Sequence, residues 1–334
     1  MTTYRRKRLS AQEYIEGVIS GNRTILSQAI TLIESKLTED EALAEEVLEA
    51  ILPYTGKSIR VGITGVPGVG KSTFIERFGL HLIDSGQSLA VLAIDPSSQR
   101  SKGSILGDKT RMEQLSRHPK AYVRPSASGS SLGGVAHKTR ESALLCEAAG
   151  FTWILVETVG VGQSETAVHD MVDFFLLLML AGAGDELQGI KKGIMEMADM
   201  IAITKSDQGN EKAAKQAAQE YRNALHLFPM NENLWQPKVS TCSALNGMGM
   251  EEIYQTIGAF QTHTEGNGSF QKRRREQNLT WFKTGVVMRM ERFIQTNKSS
   301  QDLMHHLEEK VKSNQISALK ATRLLFDELM NTIS

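Results

Sequence analysis

The segment Gly65-Val66-Pro67-Gly68-Val69-Gly70-Lys71-Ser72 carries the residue types and spacing that bind phosphate groups. It matches the pattern G-x-x-x-x-G-K-[ST], follows the apolar run 59–64 and precedes a helix-like stretch that begins at Thr73. The glycines let backbone N–H groups turn toward phosphate oxygens, and the helix N-terminus adds partial positive charge. Lys71 would reach the β- and γ-phosphates, and the Ser72 hydroxyl would ligate Mg²⁺. The alternative, a glycine-rich turn that binds nothing, does not explain this strand–loop–helix context.

Two aspartates are further candidates for the Mg²⁺ shell. Asp95 follows the apolar run 89–94 and begins Asp95-Pro96-Ser97-Ser98. Carboxylate oxygens are hard ligands that suit Mg²⁺, so Asp95 would bind it directly or through water; the alternative is an Asp that only caps a turn. Asp108 lies in the polar, glycine-spaced loop 103–111 and would complete the shell, in the position of a switch I segment.

An acidic residue followed by glycines ends another apolar run. Glu157 opens Glu157-Thr158-Val159-Gly160-Val161-Gly162-Gln163, which has the acidic-x-x-Gly shape of a switch II segment, with Glu where Asp is usual. Glu157 would orient a Mg²⁺-bound water, and the Gly160 N–H would meet the γ-phosphate. Gln163 is a candidate for positioning the attacking water, although it is displaced from the position used by small signalling GTPases. A strand-end acid before a glycine turn is the alternative.

Two later segments indicate which base is bound. Thr204-Lys205-Ser206-Asp207 matches the pattern [NT]-K-x-D, in which the Asp accepts hydrogen bonds from guanine N1 and N2. Adenine cannot donate that pair, so a buried carboxylate here rejects it. The Lys205 stem would pack along the base, and Thr204 replaces the commoner Asn, so we expect a supporting hydrogen bond to be lost. Ser243-Ala244-Leu245 matches the loop whose backbone N–H meets guanine O6. Together these segments predict a GTPase rather than an ATPase.

The composition sets limits on the class of protein. The chain has 334 residues, of which 40% are hydrophobic, and its 38 basic and 38 acidic residues cancel. This balance favours neither nucleic acid nor an anionic membrane as a partner. The two cysteines form neither a disulfide framework nor a metal motif, which fits a reducing compartment. We expect a cytoplasmic protein, or a mitochondrial one if the source is eukaryotic.

The elements that must position these residues follow from alternating apolar runs and helical stretches. Such alternation predicts an α/β fold, a P-loop NTPase with a mostly parallel sheet flanked by helices, over residues 57–262. The runs lie at 60–64, 89–94, 122–124, 153–157, 174–180, 200–204 and 239–241. Residues 1–56 predict an N-terminal helical extension, with capping boxes at Ser10–Glu13 and Thr38–Glu41.

Residues 263–334 predict a C-terminal helical arm. Residues 265–269 are typical of a linker, and the basic run Lys272-Arg273-Arg274-Arg275 is interpreted as a solvated helix face. One helical pattern extends from there to Phe293, and another covers 301–330. The apolar stripe of these helices must be buried, and a second copy of the chain is favoured over folding back on the main domain.

A glycine-rich, charged segment at 181–193 follows the apolar run 174–180. Such a loop can serve as a mobile third switch that touches a partner, with Asp185, Gln188, Lys191 and Lys192 as its candidate contacts. The alternative is an ordinary connection between a strand and a helix.

Taken together, these segments resemble the methylmalonyl-CoA mutase-associated GTPases, the MeaB or ArgK proteins of the metallochaperone branch of P-loop GTPases. The resemblance covers nearly the whole chain. It is carried by the phosphate loop, residues 95–98, 103–111, 157–165 and 182–192. It implies a homodimer joined through the C-terminal arm, with Mg²⁺ held by Ser72, Asp95, Asp108 and Glu157.

The same resemblance implies a role as a chaperone of an adenosylcobalamin-dependent acyl-CoA mutase, in which GTP binding and hydrolysis gate cofactor loading and protect the mutase from inactivation. Two alternatives stay open. One is a kinase or accessory nucleotidase of amino-acid (arginine or ornithine) transport, although no residue is identified as an acceptor-activating base. The other is a metal-insertion GTPase, for which clusters of Cys or His would be expected.

Overall fold

The computed structural model describes residues 8–35, 37–94, 112–124, 132–158, 164–182 and 192–333. The chain divides into two compact units, residues 1–277 and residues 278–334. The sheet and all the motifs predicted to bind phosphate and base lie in the first unit. The division into an N-terminal extension, a GTPase domain and an arm stays a prediction.

The described residues form a seven-stranded sheet with the order β3-β2-β4-β1-β5-β6-β7. Every neighbouring pair in it is parallel, which confirms the sequence-based expectation. The strands are β1 Ile59–Gly65, β2 Leu89–Ile94, β3 Ala121–Arg124, β4 Trp153–Thr158, β5 Phe174–Leu180, β6 Met200–Thr204 and β7 Lys238–Thr241. The central strands are buried along nearly their whole length, because helices cover both faces of a parallel sheet.

Thirteen helices are found in the described residues. They are α1 Ala11–Ile19, α2 Arg23–Glu34, α3 Thr38–Ile51, α4 Lys71–Asp84, α5 Glu113–Arg117, α6 Leu132–Ala148, α7 Ser164–His169, α8 Lys192–Met197, α9 Glu211–Leu225, α10 Met250–Gly266, α11 Ser269–Thr296, α12 Lys298–Lys312 and α13 Ala318–Ile333. A short 3₁₀ turn, Leu52–Tyr54, follows α3. None of the described helices is long and apolar enough to cross a membrane.

Two apolar layers enclose the sheet. On one face, α4 and α10 contribute to a core in which the rings of Phe174 and Phe260 meet edge to face, with centroids 5.0 Å apart. On the other face, Ile201 and Ile203 pack against α9 residues that include Ala218. Burial on both faces explains why the strands read as continuous apolar runs rather than alternating patterns.

The first predicted helix cap is confirmed and the second is wrong. The Ser10 hydroxyl accepts the Glu13 N–H while the Glu13 carboxylate accepts the Ser10 N–H, which is a complete capping box. The residue that caps α3 is Leu37, which offers no side-chain hydrogen bond, and Thr38 is already helical. The N-terminus of α3 is stabilised instead by the acidic residues of its first turn, whose negative charges interact favourably with the helix dipole.

The basic run at the start of α11 is not simply a solvated face, contrary to the interpretation from sequence. The Arg274 side chain is 9% exposed and donates to both carboxylate oxygens of Asp173, at 2.8 and 2.6 Å. It also donates to the carbonyl oxygens of Gly56 and Ser58. Asp173 in turn accepts the backbone N–H of Arg60, so Arg274 fixes the start of α11 to the amino ends of β1 and β5.

The helical pattern at 301–330 was expected as one stretch, which is wrong, because α12 and α13 are separated by residues 313–317. Within the second unit these two helices pack against each other. The predicted linker is also shorter than expected, since α10 ends at Gly266 and α11 begins at Ser269. Exposed apolar side chains in this unit include Leu279, Phe282, Val287, Leu319 and Phe326.

Candidate functional site

The phosphate loop spans the gap between β1 and α4, as the motif predicts. Gly65, with φ 154°, lies so close to β5 that an added Cβ would be 2.4 Å from the carbonyl oxygen of Leu178. Gly70 has φ 92°, a left-handed conformation that turns the chain directly into α4. The N-terminus of α4 therefore points its free N–H groups into the loop, which is the arrangement that binds phosphate.

Lys71 is folded back onto its own loop. Its Nζ donates to the carbonyl oxygen of Gly65 at 2.8 Å and to that of Val66 at 3.4 Å. Burial lowers the pKa of Lys71, and the negative charges of Glu157 and Glu165 oppose that shift. An incoming triphosphate would offer oxygens that compete with these two carbonyl groups for the ammonium.

Ser72 and Glu157 lie together beside the loop. The Ser72 hydroxyl donates to Glu157 Oε1 at 3.2 Å, and Glu157 is 9% exposed at the end of β4. The next residue, Thr158, donates its hydroxyl to Thr64 Oγ1 at 2.8 Å, which ties the end of β4 to β1. A hydroxyl and a carboxylate in contact next to the phosphate loop are a donor set that fits Mg²⁺, because it prefers hard oxygen ligands.

Thr204 makes the hydrogen bonds that were expected to be lost. Its hydroxyl donates to the carbonyl oxygen of Val69 at 2.9 Å and lies 3.2 Å from that of Met179. The first contact joins the end of β6 to the phosphate loop. The expectation was wrong because the threonine hydroxyl reaches these backbone carbonyl groups where the end of β6 lies close to the phosphate loop.

Lys205 lies over the phosphate loop. Its Nζ donates to the carbonyl oxygen of Gly68 at 2.9 Å, so its stem extends across the space where the motif predicts the base and ribose. The residue has φ 56°, a left-handed conformation, and its carbonyl oxygen accepts the Asn210 side-chain amide at 2.9 Å. Asn210 was not singled out from the sequence, since no short motif connects it with this turn.

The carboxylate predicted to read the base, that of Asp207, is held by the loop after β7. The Ser243 hydroxyl donates to Asp207 Oδ2, while the Ser243 N–H donates to the carbonyl oxygen of Met248 at 2.9 Å. The Ser206 N–H donates to the carbonyl oxygen of Cys242 at 3.0 Å, which joins the two loops through their backbones. Ala244 and the exposed Leu245 follow at the rim. Thus the two segments predicted to read guanine are in direct contact.

Several predicted site residues lie outside the described residues. They are Asp95, Asp108, Gln163, Asp185, Gln188 and Lys191, and of Lys192 only the backbone, at the start of α8, is described. The predicted residues that the structure brings together are the phosphate loop 65–72 with Thr73, Glu157, Lys205, Asp207 and Ser243. Glu165, whose charge acts on Lys71, was not given a role from the sequence.

The phosphate loop has a strand-end glutamate hydrogen-bonded to its serine, and the two segments that match the guanine motifs are in contact. These are the features of a P-loop GTPase. Comparisons with known proteins agree. The family model described as methylmalonyl Co-A mutase-associated GTPase MeaB matches residues 26–300. The chain therefore belongs to the MeaB family of GTPases, and it hydrolyses GTP.

Relatives of the chain carry related names. It is 49% identical to the GTPase ArgK of Escherichia coli over 81% of this chain and 82% of that protein. It is 44% identical to the mouse protein named methylmalonic aciduria type A homolog, mitochondrial, over 92% of this chain and 77% of that protein. The solved structure entitled LAO/AO transport system kinase is 38% identical, covers 96% of this chain and 97% of its own, and has a TM-score of 0.75.

Proposed function

We propose that this GTPase is a chaperone of an adenosylcobalamin-dependent acyl-CoA mutase of the methylmalonyl-CoA mutase type. The nucleotide state would gate loading of the cofactor into the mutase and protect the mutase from inactivation. The observation that carries the proposal is the match of most of the chain to a family whose description names that mutase. The mouse relative, whose name refers to methylmalonic aciduria, supports the same assignment.

The contacts of the described site residues support the nucleotide binding and hydrolysis that this proposal requires. Lys71 would exchange its two carbonyl partners for phosphate oxygens, and Asp207 would accept the guanine N–H groups while Ser243 holds it in place. Ser72 and Glu157 would hold Mg²⁺, together with Asp95 and Asp108. When bound, Mg²⁺ would neutralise charge on the phosphates.

The partner contact is proposed to lie in the glycine-rich segment that precedes α8. Asp185, Gln188, Lys191 and Lys192 are the proposed contact residues. The position of this segment supports the proposed contact, because α8 packs against α7, and α7 begins directly after the switch II segment. A change at the γ-phosphate could therefore be passed to this segment through two adjacent helices.

The protein is proposed to act as a homodimer joined through the helices of the second unit. Large apolar side chains there are exposed in the single chain, among them Phe282 at 67% and Val287 at 64%. Exposed apolar side chains in such number are typical of a surface that another chain covers. The proposed location is the cytoplasm, or the mitochondrion if the source is eukaryotic.

A second candidate is a kinase linked to amino-acid transport, because one similar structure is entitled a transport system kinase. The two functions differ in the acceptor of the γ-phosphate. Incubation with GTP labelled at the γ-phosphate would release label as inorganic phosphate from a GTPase chaperone, whereas a kinase would transfer it to a protein.

The proposed partner is tested by gel filtration of the protein with methylmalonyl-CoA mutase in the presence of a non-hydrolysable GTP analogue. We expect co-elution, which the double variant Lys191→Ala/Lys192→Ala should weaken at least tenfold. The matched control is Lys212→Ala/Lys215→Ala, which removes the same charges from the exposed face of α9. Equal effects of both variants would contradict the assignment of the contact. If the unaltered protein forms no complex with the mutase, the proposed partner is wrong.

A further inference from the structure

Glu165 is a buried carboxylate that the fold leaves incompletely hydrogen-bonded. The residue is 5% exposed, and its Oε2 is shielded from solvent without a hydrogen-bond partner. In the part of the chain that the structure describes, no ion pair involves this side chain. A buried carboxylate oxygen without a donor costs free energy, because it has lost the water that would hydrogen-bond to it in solution. The presence of such a group indicates that the carboxylate has a role other than stabilising the fold.

The position of Glu165 places it at the phosphate end of the site. It lies in the first turn of α7, in the chain connection that begins at Glu157, the residue in contact with Ser72. The helix α7 packs directly on β1, the strand that leads into the phosphate loop, since a Cβ added at Gly62 would meet Val168 Cγ1 at 2.8 Å. Its side chain therefore belongs to the same layer as the loop.

Lys71 supplies the complementary group. An ammonium has three N–H donors, and two of those on Lys71 are used by the carbonyl oxygens of Gly65 and Val66. The charge of Glu165 acts on Lys71, yet the two side chains form no direct ion pair among the described residues. The Oε2 atom of Glu165 is thus an unused acceptor, and its side chain is near enough to Lys71 for its charge to act on the ammonium.

A water molecule is the smallest group that satisfies both side chains, because it accepts from an ammonium and donates to a carboxylate at once. Lys71 is the residue that reaches the β- and γ-phosphates, so a water beside it lies next to the phosphorus that is attacked. We propose that Glu165 is a catalytic residue of this GTPase, which holds the hydrolytic water through its free Oε2. This inference requires only GTP hydrolysis and is independent of the proposed mutase partner.

The reaction step follows from this arrangement. The water oxygen forms a bond to the γ-phosphorus, and the bond between that phosphorus and the oxygen bridging to the β-phosphate breaks. GDP leaves with the electron pair of the broken bond. Glu165 accepts one water proton as the new bond forms and returns it to the inorganic phosphate or to solvent. Positioned proton acceptors of this kind typically contribute about 100-fold or more to a rate.

The test compares Glu165→Gln with the matched control Glu220→Gln, the same substitution at an exposed glutamate of α9. Single-turnover hydrolysis of GTP is measured with protein in excess, and the affinities for GDP and a GTP analogue are measured by fluorescence titration. We expect Glu165→Gln to slow hydrolysis about 100-fold, with both affinities within about threefold of the unaltered protein. The control should hydrolyse GTP at the unaltered rate.

Thermal unfolding separates a catalytic role from a structural one. Because Glu165 Oε2 accepts no hydrogen bond in the described part of the chain, replacing the carboxylate by an amide should leave the melting temperature unchanged or raise it. A second variant, Glu165→Ala, should be as slow as Glu165→Gln and should regain rate when formate is added. Hydrolysis within threefold of the unaltered protein in both variants would overturn the proposal. So would a loss of GTP affinity equal to the loss of rate, or a clear drop in melting temperature for Glu165→Gln.

Discussion

At the residue scale, the site is held by side chains that tie one loop to another. Thr204 joins the end of β6 to the phosphate loop, Lys205 bridges to Gly68, and Ser243 holds Asp207. The phosphate and base loops are thus joined in one network of hydrogen bonds. Nucleotide affinity should therefore depend on side chains that never touch the nucleotide.

Replacing Thr204 by Val tests this dependence. Valine keeps the shape but removes the hydroxyl that contacts the carbonyl oxygens of Val69 and Met179. A buried hydrogen bond of this kind contributes about 1–1.5 kcal/mol, so we expect the dissociation constant for GDP to rise about tenfold. Fluorescence titration measures it. The control Thr204→Ser keeps the hydroxyl and should bind GDP normally, and equal affinities of the two variants would contradict the role given to the hydroxyl.

The residue types of the site were largely predictable from the sequence, because phosphate and guanine loops are short and contiguous. Lys71, Ser72 and Asp207 follow from motifs that each span a few neighbouring residues. The hydroxyl bonds of Thr204 and the isolation of Glu165 were not predictable, since both depend on which other segments lie beside them. No local spacing reports such contacts.

At the element scale, buried polar contacts fix helices to the sheet. Arg274 joins α11 to Asp173 through a buried ion pair, and the Tyr122 hydroxyl on β3 lies 3.0 Å from the Ser27 hydroxyl on α2. The strands themselves were predictable to within a residue or so from their apolar runs. These polar contacts were not predictable, because Arg274 and Asp173, for example, are 101 positions apart in the chain.

Substitution of Arg274 by Ala should destabilise the first unit strongly. It leaves the buried Asp173 carboxylate without its counter-charge, and breaking such a pair costs about 3–5 kcal/mol. Urea unfolding measures the loss. The exposed neighbour provides a matched control, since Arg275→Ala removes the same charge from the same run and should cost under about 0.5 kcal/mol. Similar losses for both variants would restore the interpretation of the run as a solvated face.

The burial of Tyr122 on β3 should make the stability of the protein depend on alkaline pH. Burial raises the pKa of Tyr122 to about 12, whereas the unfolded chain releases this proton near 10. The unfolded state loses the proton first, so the stabilisation is complete below pH 10 and is lost as pH rises toward 12. At pH 11 the loss should be about 1.4 kcal/mol.

The variant Tyr122→Phe lacks the ionisable group and isolates this effect. Unfolding free energies in urea at pH 9 and pH 11 should fall further for the unaltered protein than for Tyr122→Phe. The same decrease in both proteins would show that the phenol does not ionise differently in the folded and unfolded states.

At the scale of the whole molecule, the second unit bears the surface proposed to join two copies. The variant Phe282→Ser/Val287→Ser removes two exposed apolar side chains of α11 and should convert the dimer to a monomer. Sedimentation velocity measures the mass. Lys283→Ser, at an exposed position of the same helix, is the control and should remain dimeric. A monomeric unaltered protein would contradict the proposed dimer itself.

We propose that GTP hydrolysis by this protein serves an acyl-CoA mutase. It is tested most directly by measuring GTP turnover of the purified protein with and without methylmalonyl-CoA mutase, with Lys71→Ala as the inactive control. We predict that the mutase raises the turnover rate at least tenfold and that the control stays inactive in both conditions. A turnover rate that the mutase leaves unchanged, at concentrations well above those needed for a stable complex, would contradict the claim.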